Sequence, residues 1–247
     1  MSGDVALVTG GASGVGLAIA QALHAAGFRV AIGDIDEAGA VKAAQALDAD
    51  GETAIGLTLD VREETAFAAA RDALLARWDS VEALVNNAAA TAAKPVLDIT
   101  PDEFDAVTAV NLRGTFVGSQ VFGRLFKQRG YGRIVNLASL AGQNGGTATG
   151  AHYAASKGGI LTLTKVFARD LAPFGVTANA IAPGPLDTPM VHQTIPADRM
   201  EQFKANVPVG TLGDPAFVGS MVARLCGRDA GFITGATIDI NGGLYMR

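Results

Sequence analysis

The chain opens with a strand, a glycine-rich turn, a helix and a second strand, and this order constrains its fold more than any other feature. Val5–Val8 is a short apolar run typical of a buried strand. The turn Thr9–Gly16 follows it directly, and Leu17–Leu23 then repeats apolar residues at helical spacing. A second apolar run covers 28–32. This order is typical of the first unit of a dinucleotide-binding sheet.

The turn has the spacing G-x-x-x-G-x-G, formed by Gly10, Gly14 and Gly16, with Ser13 and Val15 between them. Glycines let a backbone approach a pyrophosphate closely, and a helix N-terminus offers unpaired N–H groups and a positive dipole end. The pattern therefore predicts that these five residues contact the phosphates of a dinucleotide. The alternative is a turn that only joins strand to helix, which the flanking elements disfavour.

Asp34 stands at the end of the second predicted strand, 18 residues after Gly16. A carboxylate at this place accepts hydrogen bonds from an adenosine ribose and repels a 2′-phosphate. Ser13 is neutral, where a protein that binds a 2′-phosphate often carries Arg or Lys. Both features favour NAD over NADP. The alternative is that Asp34 and Asp36 only cap the next helix. We favour the ribose for Asp34 and leave Asp36 as a capping or surface residue.

Apolar strands and helical segments alternate along the rest of the chain, which indicates a parallel sheet covered on both faces. No low-complexity linker or block of charge divides the chain. We therefore predict one α/β domain over 1–247, a Rossmann-like, doubly wound parallel sheet of about seven strands. The further predicted strands are 54–59, 83–85, 132–137, 176–181 and 237–240, and the predicted helices include 63–77, 101–127 and 152–172.

The composition disfavours several classes of function. The net charge of −5 leaves no basic stripe for nucleic acid, and no apolar run reaches the roughly 18 residues of a membrane helix. A single cysteine, Cys226, and no visible signal peptide indicate a cytoplasmic protein without disulfides. We expect no metal, because His24, His152 and His192 show no ligand spacing with cysteine or acidic residues.

Tyr153 and Lys157 lie four residues apart in the predicted helix 152–172. This spacing places both side chains on one helix face. A phenol normally titrates near pH ~10, and a neighbouring cation lowers its pKa by favouring the phenolate. The pair is therefore a candidate device for proton transfer near neutral pH. The same spacing also fits a packed tyrosine beside a solvated lysine, so the assignment depends on the other motifs.

With these motifs in order, the chain resembles the compact branch of the short-chain dehydrogenase/reductase family. The resemblance runs nearly end to end, from the Thr9–Gly16 turn to Asn241–Gly243. One departure is Ala89, which stands where the family usually has a glycine after Asn-Asn-Ala. The resemblance implies a catalytic tetrad of Asn111, Ser139, Tyr153 and Lys157. It also implies cofactor contacts from the glycine-rich turn and from Asp34, Asp60, Val61, Asn87, Ala88, Tyr153, Lys157, Pro183, Gly184, Leu186 and Thr188.

The resemblance implies a role for each member of the tetrad. Tyr153 gives its proton to the substrate oxygen in reduction and takes it back in oxidation. Lys157 binds the nicotinamide ribose and favours the phenolate. Ser139 donates a hydrogen bond to the substrate oxygen. Asn111 kinks its helix and positions a water that links Lys157 to solvent. The hydride belongs to the nicotinamide, and NAD is the expected cofactor.

The sequence constrains the identity of the substrate less than it constrains the fold, the cofactor or the catalytic residues. We expect a mobile lid over about 185–213 with a mostly apolar inner surface. Its residues include Met190, Val191, His192, Ile195, Met200 and Phe203. We expect the opposite wall to be formed by 142–150, with Gln143 as a polar contact. The motifs resemble those of 3-oxoacyl-thioester reductases and of secondary-alcohol dehydrogenases alike. Acyl-carrier-protein reductases of the family usually favour NADP, which Asp34 argues against. We therefore predict an NAD-dependent dehydrogenase of a secondary alcohol or 3-hydroxyacyl compound. A 3-oxoacyl-thioester reductase, acting on acyl-CoA or acyl-carrier protein, is the alternative.

Two further classes use similar folds. One is a regulatory protein that binds a dinucleotide without turnover, which the intact Ser139, Tyr153 and Lys157 disfavour. The other is a methyltransferase, whose glycine-rich turn and acidic residue look similar, but which needs no Tyr/Lys pair. The family resemblance also implies a homotetramer, because the helix that corresponds to 152–172 often packs against a second subunit there.

Overall fold

The computed structural model describes residues 3–146, 149–188, 191–192 and 196–246. Their strands are β1 (Val5–Thr9), β2 (Arg29–Asp34), β3 (Ala54–Thr58), β4 (Ala83–Asn86), β5 (Gly132–Leu137), β6 (Val176–Pro183) and β7 (Thr237–Ile240). These form one sheet in the order β3-β2-β1-β4-β5-β6-β7, and every neighbouring pair is parallel. The predicted α/β class with a doubly wound parallel sheet is confirmed.

Helices follow the strands along the described chain. They are α1 (Gly14–Ala25), α2 (Glu37–Leu47), α3 (Glu64–Trp78), α4 (Pro101–Thr108), α5 (Gly114–Arg129), α6 (Ala141–Asn144), α7 (Ala151–Leu171), α8 (Met200–Ala205) and α9 (Pro215–Cys226). Short 3-10 turns lie at Val96–Asp98, Ala172–Phe174, Ala197–Arg199 and Arg228–Ala230. Among these described helices, none combines the length and apolar character needed to cross a bilayer.

The sheet buries apolar side chains on both faces. Alternate residues of a strand point to opposite faces. Val5 and Leu7 of β1 therefore pack with the helices α3 and α5, whereas Ala6 and Val8 pack with α1, α2 and α9. Cys226 at the end of α9 is fully buried in the second of these cores. Burial on two faces explains why the strands read as nearly continuous apolar runs.

One predicted helix is interrupted. The segment 101–127 begins as predicted, with Thr100 as N-cap in a reciprocal capping box with Glu103 and Pro101 at the first position. A π-helical turn at Ala109–Arg113 then separates α4 from α5. Such turns are rare and occur frequently at functional sites. This one carries Asn111, where the family resemblance implies a kink.

Candidate active site

A cleft of about 840 Å³ opens at the carboxyl ends of the strands. The strand order reverses between β1 and β4 at this place, which is where ligands bind in open α/β sheets. Every catalytic or cofactor-binding residue predicted from the sequence lines the cleft, apart from Asn111. The structure therefore brings together residues that are separated by up to about 178 positions, from Gly10 to Thr188.

The glycine-rich turn leaves the N-terminus of α1 open to a ligand. Ser13 is the N-cap residue, but its side chain makes no capping hydrogen bond, and the first turn carries no acidic residue. Gly14 has φ +53°, in the left-handed region that favours glycine. A Cβ on Gly16 would lie 2.1 Å from the oxygen of Gly10. The turn is thus a tight cradle of backbone with free N–H groups, which suits a pyrophosphate.

Side-chain hydrogen bonds join the ends of β1 and β4 beside this cradle. The hydroxyl oxygen of Thr9 accepts from the N–H groups of Asn87 and Ala88 at 3.0 and 3.1 Å. Asn87 donates from Nδ2 to the oxygens of Thr9 and Gly10 at 3.0 and 2.9 Å. The amide of Asn87 therefore fixes the turn, and Ala88 is held against the cleft.

Asp34 and Asp36 have separate partners, so one does not substitute for the other. Asp36 caps α2 by accepting from the N–H of Gly39 at 3.0 Å. Asp34 accepts from the N–H groups of Ala12 and Asp36, each at 3.1 Å, and lines the cleft. A carboxylate offers about four acceptor positions. Asp34 can therefore brace the turn and still accept hydrogen bonds from ribose hydroxyls.

Asp60, Val61 and Arg62 form the wall of the cleft after β3. Arg62 donates to both carboxylate oxygens of Asp60, with a shortest contact of 2.6 Å. This hydrogen bonding lowers the pKa of Asp60. Val61 is almost fully buried. Arg62 was not predicted as a site residue, because a lone arginine after a strand carries no spacing signal.

Tyr153 and Ser139 lie together where α7 passes the end of β5. The hydroxyl of Ser139 donates a hydrogen bond to the Tyr153 oxygen, which lowers the pKa of the phenol, but burial raises that pKa by more. The net pKa lies above its ordinary value of 10.0. The expectation that Lys157 lowers the pKa of Tyr153 is therefore wrong here, because desolvation outweighs the stabilisation of the phenolate.

Lys157 shares a helix face with Tyr153 but directs its ammonium elsewhere. Its Nζ donates to the main-chain oxygen of Leu137 at 2.5 Å and lies 5.6 Å from the centroid of the Tyr153 ring. Complete burial lowers the pKa of Lys157 from 10.5 to about 8. Burial therefore disfavours the charged form of both groups, since it raises the pKa of Tyr153 and lowers that of Lys157.

Asn111 is fully buried behind the cleft in the π-helical turn. Its Oδ1 accepts from the N–H of Ala90 at 2.7 Å, and its Nδ2 donates to the Ala90 oxygen at 2.9 Å. Nδ2 also donates to the hydroxyl of Ser156 at 3.0 Å, and the hydroxyl of Ser156 donates to the main-chain oxygen of Tyr153 at 2.7 Å. Asn111 therefore links the cleft wall to the helix that carries Tyr153. Ser156 was not predicted.

The loop after β6 brings the remaining predicted residues, Pro183, Gly184, Leu186 and Thr188, to the cleft. Leu186 forms a bridge with Gly213, and the N–H of Asp187 donates to the Gly213 oxygen at 2.8 Å. The two ends of the predicted lid are thus held together. Of the six apolar or aromatic lid residues named from the sequence, Val191 lines the cleft. The six are Met190, Val191, His192, Ile195, Met200 and Phe203, and Met190 and Ile195 lie outside the described residues.

The opposite wall differs from the prediction. Among the described residues of 142–150, none lines the cleft, and Gln143 instead donates from Nε2 to Asp239 at 2.6 Å. The chain turns away after Ser139 because the short helix α6 packs against α7. Ala89, Ala90 and Thr91 line the cleft instead. Their small side chains leave space beside Ser139 and Tyr153.

Taken together, the cleft fits an extended dinucleotide. The turn Gly10–Gly16 suits the pyrophosphate, and Asp34 suits a ribose. Asp60 and Val61 suit one ring of the dinucleotide, and the end of the cleft at Tyr153 suits its other half. A Cβ on Gly16 would meet Gly10 and Asn87, so this glycine allows the close packing of the turn, and the N–H groups in the first turn of α1 are the groups available to a phosphate.

Comparison with known proteins gives matches over nearly the whole chain. A profile of the family described as Enoyl-(Acyl carrier protein) reductase matches residues 10–245. An acetoacetyl-CoA reductase of Rhizobium meliloti is 38% identical over 245 residues, which are 98% of each chain. A 3-oxoacyl-(acyl-carrier-protein) reductase of Vibrio cholerae is 36% identical over 246 residues, which cover 100% of this chain and 99% of the relative. A 4-formylbenzenesulfonate dehydrogenase of Comamonas testosteroni is 39% identical over 246 residues, 97% of each chain.

Proposed function

Because the chain belongs to the short-chain dehydrogenase/reductase family, we propose that it reduces the ketone of a 3-oxoacyl thioester to the secondary alcohol with NADH. The reaction consumes one NADH and one proton, and it forms the 3-hydroxyacyl thioester and NAD. The observation that carries the proposal is that Tyr153, Ser139 and Lys157 line the same cleft, with the ammonium of Lys157 5.6 Å from the phenol ring centroid. A proton donor and a second hydroxyl thus lie in one cleft.

Each of these residues has a defined part in this chemistry. When bound, the nicotinamide supplies the hydride. Tyr153 donates its proton to the carbonyl oxygen as that oxygen gains charge. Ser139 holds the same oxygen by donating its hydroxyl proton. Lys157, anchored at Leu137, stands beside Tyr153 as a positive charge or as a source of the replacement proton.

The direction of reduction is supported by the names of two relatives, each of which is called a reductase. Burial raises the pKa of Tyr153, which favours the protonated phenol that donates in reduction. The relatives therefore favour the alternative predicted from the sequence, a 3-oxoacyl-thioester reductase, over the broader prediction of a secondary-alcohol dehydrogenase.

The thioester is supported by two of the three relatives described above, whose names give an acetoacetyl-CoA and a 3-oxoacyl substrate. The cleft supports the same class. Ala89, Ala90 and Thr91 leave room beside Tyr153 for an unbranched acyl carbon chain, and Pro185 and Val191 add apolar surface at the lid. The third relative acts on a 4-formylbenzenesulfonate, so an aromatic aldehyde belongs among the test substrates.

NAD is supported as the cofactor by Asp34. Its carboxylate lines the cleft at the end of β2, where the ribose of a dinucleotide is held in this type of sheet. A 2′-phosphate there would meet a negative charge, and charges about 4 Å apart repel by several kcal/mol at a partly buried site. The proposal therefore differs in cofactor from the NADP preference that is usual for the acyl-carrier-protein reductases of the family.

The test follows nicotinamide absorbance with NADH and with NADPH against four substrates. These are acetoacetyl-CoA, its truncated N-acetylcysteamine thioester, 4-formylbenzenesulfonate and a simple 2-ketone. We expect turnover with NADH on both thioesters. Turnover only on the aldehyde or the simple ketone would contradict the thioester assignment. Tight dinucleotide binding with no turnover on any substrate would favour the regulatory, non-catalytic alternative.

A further inference from the structure

His152 precedes Tyr153 in α7 and is almost completely buried, with 1% of its surface exposed. The N–H of Tyr153 donates to its Nδ1 at 2.9 Å. Tyr153 is the third residue of α7, so its N–H has no carbonyl four residues back within the helix. Gly150, the N-cap residue, has no side chain to satisfy it. The imidazole of His152 therefore supplies an acceptor that the first turn of this helix otherwise lacks.

The neighbours of His152 leave its ring little freedom. A Cβ on Gly150 would lie 2.4 Å from Cε1 of the ring and 2.8 Å from the oxygen of Ala92. The N–H of Gly150 donates to that same Ala92 oxygen at 3.0 Å. The first turn of α7 is thus tied to the loop after β4, and the ring fills the space that the absent side chain leaves.

The same loop is fixed at its other end. Ala90, two residues before Ala92, is held at both its N–H and its oxygen by Asn111. Asn111 also reaches α7 through Ser156. Tyr153 therefore lies between two anchors, Ser156 on its carbonyl and His152 on its N–H. A reacting group displaced by about 1 Å can lose about 100-fold in rate, so both anchors bear on proton transfer.

We propose that His152 is a positioning residue for proton transfer: its neutral imidazole accepts the Tyr153 N–H at Nδ1 and thereby sets the place of the phenol relative to Ser139. Its role in turnover rests on the proposed function, but the hydrogen bond itself does not. The ring proton is then on Nε2. This assigns a function to a histidine that the sequence analysis considered only as a metal ligand and set aside.

Three substitutions separate this role from simple packing. In H152N the side-chain oxygen can occupy the position of Nδ1 and accept the same hydrogen bond. H152Q places its oxygen nearer the position of Nε2, and H152L offers similar bulk with no acceptor. Melting temperature and NAD binding show whether each variant is folded. If H152L does not fold, H152Q takes its place as the variant without an acceptor at Nδ1.

The first measurement is amide hydrogen exchange at Tyr153, resolved by NMR and made without substrate. We expect exchange about tenfold faster in H152L and H152Q than in the parent, and near the parent rate in H152N, because only the first two lose the acceptor. Equal exchange rates in the parent, H152N and H152L would overturn the proposal. This result does not depend on which substrate the enzyme uses.

The second measurement is steady-state reduction of acetoacetyl-CoA. For H152L and H152Q we expect kcat to fall about tenfold or more, with KM and the Kd of NAD changed less than about threefold, and kcat restored in H152N. A loss of kcat in H152N equal to that in H152L would refute the role in positioning. A parent enzyme inactive on every substrate would instead contradict the proposed function and leave the exchange result to decide on the hydrogen bond.

Discussion

The ammonium of Lys157 donates to the main-chain oxygen of Leu137 at 2.5 Å, which ties the buried cation of α7 to the last residue of β5. Ser139 follows that strand two residues later. The end of β5 therefore positions the Ser139 hydroxyl and accepts the hydrogen bond from Lys157, and α7 carries both Lys157 and Tyr153. This arrangement keeps a charge in the protein interior at a cost in stability. The free energy of unfolding should therefore depend on pH in a way that can be measured.

Replacing Lys157 with Met should remove that cost. The pKa of Lys157 falls from 10.5 to about 8 in the folded protein, equivalent to about 3 kcal/mol at ~1.4 kcal/mol per pKa unit. Between pH 8 and 10 the unfolded chain binds this proton and the folded chain does not, so the parent gains stability as pH rises. K157M lacks this gain. Urea unfolding at pH 7, 8, 9 and 10 should show that the free energy of unfolding of the parent rises relative to that of K157M as pH increases.

Lys165 offers the control for this experiment. It lies on the same helix and is exposed, so K165M removes an ammonium without removing a buried one. Its stability relative to the parent should not follow the trend of K157M. A difference between parent and K157M that stays constant from pH 7 to 10 would show that Lys157 is not held in a desolvated environment.

Replacing Tyr153 with Phe should abolish proton donation and spare dinucleotide binding. The variant removes one oxygen and leaves the ring, the helix and the cradle at Gly16 unchanged. General acid catalysis contributes about 10²–10⁴-fold, so we expect kcat with acetoacetyl-CoA to fall by that factor. The Kd of NADH, measured by nucleotide fluorescence, should change little.

Tyr131 provides the matched control for loss of a phenol oxygen. Its ring packs against the guanidinium groups of Arg133 and Arg228 at 4.3 and 4.9 Å, and its buried hydroxyl has no hydrogen-bond partner among the described residues. Y131F should therefore retain the parent kcat. If Y153F and Y131F were equally active, Tyr153 could not be the proton donor.

Replacing Gly16 with Ala should disrupt the phosphate cradle. The added Cβ would lie 2.1 Å from the Gly10 oxygen, so the turn has to move, and overpacking of this kind typically costs about 1–3 kcal/mol. We expect at least about tenfold weaker binding of NADH. Isothermal titration calorimetry measures this directly.

The comparison for Gly16 is Gly130, which ends α5 with φ +69° and has no atom within 4 Å of an added Cβ. G130A should lower stability by about 1–2 kcal/mol through its left-handed conformation without changing NADH affinity. Parent-like affinity in G16A would mean that the turn does not hold the pyrophosphate.

Local sequence patterns were sufficient for much of the fold. The strand bounds 132–137 and 237–240 agree with β5 and β7, because each is an apolar or β-branched run that ends at a polar or glycine-rich turn. The cradle was equally predictable, since its glycines, the strand before it and the helix after it are contiguous in the chain. The single domain and the homotetramer, which rest on the absence of linkers and on family resemblance, remain predictions.

Features that depend on long-range packing were not predictable. The small residues of 142–150 predicted a cleft wall with Gln143 as a polar contact, but Gln143 lies in α6 and donates to Asp239, 96 residues away. The pKa of Tyr153 was expected to fall, because the spacing of Tyr153 and Lys157 shows a shared helix face but not how deeply the phenol is buried or where the ammonium binds. Ser156 and Arg62 lacked any signal, since their roles arise from partners that the fold brings to them.

Replacing Asp34 with Ala should weaken NAD binding and relax the discrimination against NADP. The carboxylate is the acidic group proposed to accept from the ribose hydroxyls, and a hydrogen bond to a charged group contributes about 1.5–3 kcal/mol. We expect NAD affinity to fall about tenfold or more while NADP affinity rises or stays constant, because the 2′-phosphate no longer meets a negative charge. Because Asp34 also accepts from the N–H of Ala12, the ratio of the two affinities is the informative quantity. D36A removes a carboxylate two residues away that caps α2. This control should cost about 1 kcal/mol of stability and leave the ratio unchanged, whereas an unchanged ratio in D34A would exclude Asp34 as the determinant of cofactor choice.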